Sequence, residues 1–137
     1  MSPFLSLREY ERYVYSLPTR CTAIAHSTLT VQRRGRMFGE VRGDVLLRNG
    51  RRLTVYERLA WDAGPLTIVG YSYEVWRADE QLWWYDSQSH PNESSLAETH
   101  PHHKHMPPDI RHNRRPAPSI SFTQPNLVFL VVEAADA

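Results

Sequence analysis

Imidazole is concentrated in one stretch of this chain. Six of its seven histidines, His90, His100, His102, His103, His105 and His112, fall between positions 90 and 112, and the densest part reads Pro101-His102-His103-Lys104-His105. Histidine titrates near neutrality, so two in one pocket can serve as base and acid in a single turnover. Metal-independent scission of RNA needs that pair, one group to deprotonate the 2'-hydroxyl and one to protonate the leaving 5'-oxygen, and a cation for the charge that builds on phosphorus. His90, His102, His103 and His105 could supply base and acid. Lys104, Arg111 and Arg114 could supply the cation, and such a reaction needs no cofactor.

Two other readings fit the same residues. Histidine and Asp86 are good ligands for zinc or manganese, which makes the histidine-rich loop a candidate metal site and the protein a candidate metal-dependent hydrolase. The spacing, His-x-His-His-x-His beside prolines, does not place two ligands one helical turn apart. The third reading is an exposed polar loop rich in histidine, with no chemistry or with a role in contacting a protein partner. The residues alone leave all three open.

Totals narrow the setting. A chain of 137 residues is the size of one domain with one core. Its formal net charge of +1 describes no strongly basic surface, but Arg33, Arg34 and Arg36 cluster, as do Arg48, Arg51 and Arg52, and again Arg111, Arg114 and Arg115. Lys104 is the one lysine among 16 basic residues. Arginine's planar fork suits phosphate and carboxylate, although arginine-rich usage also follows base composition. A single cysteine, Cys21, allows no intrachain disulfide and fits a reducing compartment. No stretch reads as a signal peptide or a membrane span, so the expected location is cytoplasmic with no membrane partner.

The elements that must position these residues follow from periodicity. Leu7, Tyr10, Tyr13 or Val14, and Leu17 recur at helical spacing, with Ser6 to cap and Pro18 to stop. Thr22 to Val31 reads as a first strand, Phe38 to Leu47 as a second, and Asn49-Gly50 as a hairpin turn. A third strand runs through Leu53 to Leu59 and a fourth from Thr67 to Arg77, followed by the aromatic strand Leu82-Trp83-Trp84-Tyr85-Asp86. Alternation sends Trp83 and Tyr85 to one face and Trp84 to the other. One set is core, and the other is covered by the C-terminal element or offers a surface for a partner or an unpaired base. Glu57 and Glu74 are expected close together on neighbouring strands, paired with arginine. Proline makes 107–118 an extended loop, Ile120-Ser121-Phe122 reads as a short strand, and Leu127, Leu130, Val131 and Ala134 share a helical face starting at Pro125-Asn126, with a buried strand over Leu127 to Val132 as the competing reading. The expected fold is α+β: one domain over 1–137, a curved antiparallel meander of five to six strands with an N-terminal and a C-terminal helix packed on it.

The order of these motifs resembles the TumE-type toxins of bacterial toxin-antitoxin modules. The matching features are the Asn-Gly hairpin followed by Leu53-Thr54-Val55-Tyr56-Glu57, the Tyr71-Ser72-Tyr73 strand, and Trp84-Tyr85-Asp86 leading to His90. Pro101-His102-His103-Lys104-His105, Pro107-Pro108-Asp109-Ile110 and an apolar segment carrying Glu133 complete them. The resemblance implies a toxin with a ribonuclease-like or translation-blocking activity, RNA as substrate, and a cognate DNA-binding antitoxin as partner, in a homodimer or a toxin-antitoxin heteromer. Where the family pattern has Arg-Tyr-Asp-Asn this chain has Trp84-Tyr85-Asp86-Ser87, and Arg77 or Arg58 could replace the missing arginine. The expected site is therefore His90, His102, His103, Lys104 and His105 with Asp86 and Glu57 as orienting or acidic partners, and Arg58, Arg77, Arg111, Arg114 and Tyr73 toward substrate.

Overall fold

The computed structural model describes residues 6–61, 64–87, 103–106, 114–117 and 119–136, with the backbone alone at 103 and 114–116. The expected α+β architecture is present. Among the described residues eight strands form one open antiparallel sheet: β1 (Ile24–Ser27), β2 (Thr30–Arg33), β3 (Phe38–Leu47), β4 (Arg51–Ala60), β5 (Thr67–Arg77), β6 (Glu80–Asp86), β7 (His103–His105) and β8 (Arg114–Pro116). From β3 onward each strand pairs with the next in sequence, while β1 and β2 both pair with β3 along different parts of its length. Helices α1 (Leu7–Tyr15), α2 (Leu17–Arg20) and α3 (Leu127–Asp136) complete the fold.

Several departures from the expected elements have local causes. Ser6 caps α1 as its sequence suggests, its Oγ accepting from the Glu9 N–H at 3.1 Å. Pro18 does not end the helical region but sits in the first turn of α2, where its missing N–H has no helical acceptor to lose. The first strand is broken in two at Thr28-Leu29, which faces Gly43 on β3. Gly43 adopts φ +140°, and a Cβ there would lie 2.6 Å from the Thr28 carbonyl oxygen. The Thr28 N–H and side chain restore the ladder by bonding the Asp44 backbone at 2.8 and 2.9 Å. His103–His105 and 114–116, expected as loop, are strands that extend the sheet. Ile120-Ser121-Phe122 is not a strand, although the Phe122 carbonyl accepts from the Ile68 N–H at 2.8 Å.

The core lies on one face. Val41, Val45, Leu53, Val55, Leu59, Ile68, Tyr71, Tyr73, Val75, Trp83 and Tyr85 point toward the helices, meeting Tyr10, Val14 and Leu17 from one end and Leu127, Leu130, Val131 and Ala134 from the other. These are the same α3 residues that share its predicted face. Both ends of α3 are tied down by side chains from elsewhere, because terminal helix N–H and C=O groups have no partner within the helix. Tyr13 Oη accepts from the Val128 N–H at 3.2 Å, and Asn49 Nδ2 donates to the Ala134 carbonyl at 3.0 Å. The Asn-Gly hairpin thus closes its own turn, with Gly50 at φ +90°, and also caps the helix.

Gly43→Ala is expected to destabilise the protein by roughly 2 kcal/mol or more, since strained φ and a backbone clash add. A urea titration followed by tryptophan fluorescence measures it against wild type.

Candidate functional site

Strand alternation divides the histidine block. β7 pairs with β6 so that His103 lies opposite Asp86, Lys104 opposite Tyr85 and His105 opposite Trp84. Neighbours on a strand point to opposite faces, so Lys104 turns toward the helices and His105 away from them. Two neighbouring residues of the motif therefore belong to two separate clusters.

On the face away from the helices, His105 stacks on Trp84 with ring centroids 4.1 Å apart, and its Nε2 lies 3.3 Å from Asp86 Oδ2. Trp84 Nε1 donates to the same carboxylate oxygen at 3.1 Å. Exposure is distributed unevenly: the His105 side chain is 2% exposed and that of Asp86 21%. What this cluster exposes is part of the Asp86 side chain and not the imidazole, and Asp86 Oδ1 is itself buried. Beside it a groove of about 540 Å³ is lined by Tyr56, Arg58, Gly70, Ser72, Asp86 and Ser87, among others.

The rest of this face alternates arginine with aromatic rings. The Arg42 guanidinium lies 4.4 Å from the Tyr56 ring centroid and that of Arg52 lies 5.5 Å from Trp76, both within cation-π range. Carboxylates balance some of this charge. Glu40 accepts from Arg34 Nε at 2.9 Å and Arg42 Nε at 3.1 Å. Those bonds, Arg34's first, hold its carboxyl below the usual carboxylate range. Arg52 approaches Asp44 at 3.9 Å. Arg58, exposed on the same face, has no hydrogen bond or ion pair among the described residues.

On the helix face, Lys104 Nζ donates to Glu133 Oε2 at 2.9 Å and lies 4.9 Å from the Trp83 ring and 5.3 Å from the Tyr85 ring. Glu133 also accepts from Tyr85 Oη at 2.9 Å and from Trp83 Nε1 at 3.2 Å. Burial, then the Glu133 charge, pushes the Tyr85 hydroxyl well above its ordinary pKa. Lys104, Glu133 and Tyr85 border a cavity of about 220 Å³ with Ile120 and Phe129.

Glu57 lies deeper on this face and is fully buried. It accepts from Tyr10 Oη and Tyr73 Oη, each at 2.5 Å, and Tyr73 in turn accepts from Asn126 Nδ2 at 3.1 Å. The expected pairing of Glu57 with arginine is thus replaced by two phenols. Glu74 is not its neighbour, because Glu57 pairs with Tyr71 and Glu74 with Thr54 on the opposite face. Burial raises the Glu57 carboxyl to about 7, against the pull of the two tyrosine bonds.

Of the other expected site residues, Tyr73 is buried with Glu57, Arg58 lines the groove, and exposed Arg77 ends β5 opposite Arg51 and Glu80. His103 and Arg114 are placed by their backbone in β7 and β8, paired with Pro116 and His105 across the ladder. His90, His102 and Arg111 lie outside the described residues. Among the described residues no three His, Cys, Asp or Glu side chains group to hold a metal. The contributions of Trp84, Arg42, Arg52 and Trp76 had a signal in the sequence, since each occupies the same strand parity as Asp86 or its cross-strand partners.

These features define a small α+β protein whose sheet carries helices on one face and an arginine- and aromatic-lined groove on the other. Over residues 12–135 the chain matches the family model described as Toxin TumE. It belongs to the TumE toxin family and is the toxin of a toxin-antitoxin module, with an antitoxin as its counterpart. No curated protein and no solved structure matches it. None of the described helices is long and apolar enough to cross a membrane.

Because the folded-state pKa of Glu57 is raised, the native protein keeps a proton that the unfolded chain releases. Its contribution to stability is full below the unfolded carboxylate pKa of about 4.3, declines as pH rises, and levels off above about 7. Glu57→Gln is expected to flatten that decline, an effect of a few kcal/mol across the window, when unfolding free energies of both proteins are measured from pH 5 to 8.

Proposed function

We propose that this toxin acts on RNA and that the sheet face away from the helices is its RNA surface. One observation carries the reading: the cationic and aromatic side chains, Arg42 on Tyr56, Arg52 on Trp76 and His105 on Trp84, that share one sheet face with a groove lined by Arg58 and Asp86. Arginine meets phosphate, and flat rings accept unpaired bases with little regard to sequence. The reaction centre is the junction of β6 and β7, where Asp86 and His103 lie opposite each other with the buried His105 behind the Asp86 carboxylate, and His90, His102 and His103 supply proton transfer to a phosphodiester. The antitoxin is a DNA-binding protein that blocks this activity.

A second reading is favoured by Lys104. Its ammonium is engaged by Glu133 on the helix face, so part of the block serves packing, and the histidine segment would then be an antitoxin-contact surface without chemistry. Purified toxin freed of antitoxin discriminates between the two. RNA cleavage is expected in the presence of chelator and is expected to disappear in the His102→Ala, His103→Ala, His105→Ala triple variant. Full activity of that variant, or no cleavage by wild type at any concentration, would sink the catalytic reading.

The surface itself has a separate test. Arg52→Ala with Trp76→Ala is expected to weaken binding of single-stranded RNA by about 1 to 3 kcal/mol for each stacked base lost, read by fluorescence anisotropy at fixed salt.

A further inference from the structure

We propose that Glu40 is a positioning residue that holds Arg34 and Arg42 as a clamp on one phosphate of an RNA strand, at the end of the sheet where β2 turns into β3. This rests on the RNA reading above and adds to it the place where the backbone is gripped and the acid that prepares the grip.

A carboxylate on a face that meets phosphate works against binding unless it does something for the cations around it. Glu40 Oε1 accepts from Arg34 Nε at 2.9 Å and from Arg42 Nε at 3.1 Å, and Arg34 Nη2 lies 2.8 Å from the same oxygen. The Glu40 side chain is 12% exposed, whereas those of Arg34 and Arg42 are 58% and 61% exposed. The negative charge is thus sheltered and the two positive ones face solvent, so the trio keeps a net positive charge on its outer side. A guanidinium that spends its Nε edge on a carboxylate still has N–H donors left for a ligand. Because both guanidiniums touch one oxygen atom, they stand close enough together to share one phosphate.

Each arginine is held a second time. Arg42 lies over the Tyr56 ring, 4.4 Å from its centroid. Arg34 stands in the turn between β2 and β3, and that turn is braced from several sides. The Arg34 N–H donates to the Phe38 carbonyl at 2.8 Å, and Gly35 supplies a φ of +110°. Arg33 donates through Nε to the Gly35 carbonyl and through Nη2 to the Arg36 carbonyl, both at 2.9 Å, and Trp61 Nε1 donates to the Arg36 carbonyl at 3.2 Å. Arg33 therefore serves the turn, and Arg34 is what the turn presents. Across the ladder Glu40 pairs with Arg58, which lines the groove, so a strand leaving the clamp passes from β3 to β4 onto a further cation. A mobile arginine has to be ordered when it grips phosphate, and two arginines already ordered by a carboxylate are spared that cost. Were Glu40 only a surface counter-charge, it would repel phosphate and its removal would strengthen binding.

The experiment is anisotropy of a labelled single-stranded RNA with antitoxin-free toxin in chelator, over a series of salt concentrations. Glu40→Met keeps the length of the side chain and removes the acceptor. It is expected to weaken binding about fivefold to tenfold at fixed salt, although it makes the face more positive, because two side chains must then be ordered on binding. Glu40→Gln, which keeps an acceptor oxygen without the charge, is expected to fall between Glu40→Met and wild type. The Arg34→Ala, Arg42→Ala double variant is expected to weaken binding and to lower the slope of log affinity against log salt by about 0.7, the value for one phosphate on a single strand. A Glu40→Met protein of native circular dichroism that binds RNA as tightly as wild type, or tighter, overturns the inference. So does an unchanged salt slope in the double variant, or a fall of about 1.4, which is two phosphates' worth. In each of these cases wild type still binds RNA and the RNA reading stands, whereas failure of wild type to bind RNA overturns both. Arg34 and Arg42 are exposed, so their test stands even where Glu40→Met does not fold.

Discussion

The carboxyl of Glu57 is the point on which the packing of this protein converges. It sits at the centre of the sheet with no access to water, and a buried carboxyl is tolerated only where its oxygens are satisfied. One oxygen is met by Tyr10 from α1 and the other by Tyr73 from β5, which is met in turn by Asn126 just ahead of α3. Asn126 also bonds the Ser121 carbonyl at 2.9 Å and accepts from the Ser121 N–H at 3.0 Å. The two ends of the described chain and the middle of the sheet are therefore joined through one acid. An apolar residue at position 57 would take away the acceptor that the Tyr10 and Tyr73 hydroxyls share, so neither helix can shift without a polar cost.

With the helices fixed over one face, the opposite face is left to polar and aromatic side chains. Its organisation is a matter of register. Arg42, Tyr56, Ser72 and Asp86 form one cross-strand row, and Asp44, Thr54, Glu74, Trp84 and His105 form the next. The bulge at Arg58/Leu59 interrupts the first regular spacing beyond these rows, and it is there that Arg58 lies across Gly70. Bulges re-aim side chains and often stand beside functional sites. The groove opens at that irregularity.

Much of this was legible from local pattern. The α3 face, the Ser6 cap, the Asn-Gly turn and the opposed directions of Trp83 and Trp84 depend on neighbours within a few residues, and a periodicity reports them directly. β7 and β8 were not legible, because three residues beside prolines carry no period and become strands only by pairing, β7 with β6 and β8 with β7. The partner of Glu57 was hidden for a related reason. Sequence marks a polar residue on an apolar strand face, but which phenols reach it depends on the helix above and on a cross-strand neighbour. The separation of Glu57 from Glu74 required the register of β4 against β5, bulge included. Pro18 was misread because a proline that cannot continue one helix fits the opening turn of another.

The division of Lys104 from His105 has a consequence for how such a motif can vary. Side-chain direction alternates with period two, so substitutions in β7 alter one face at a time, whereas inserting or deleting a single residue within it would exchange the faces of all that follow. The ammonium that belongs beneath Glu133 would be carried to the groove, and the imidazole that backs Asp86 would be driven into the core. The short strand can thus change one face at a time but not its count.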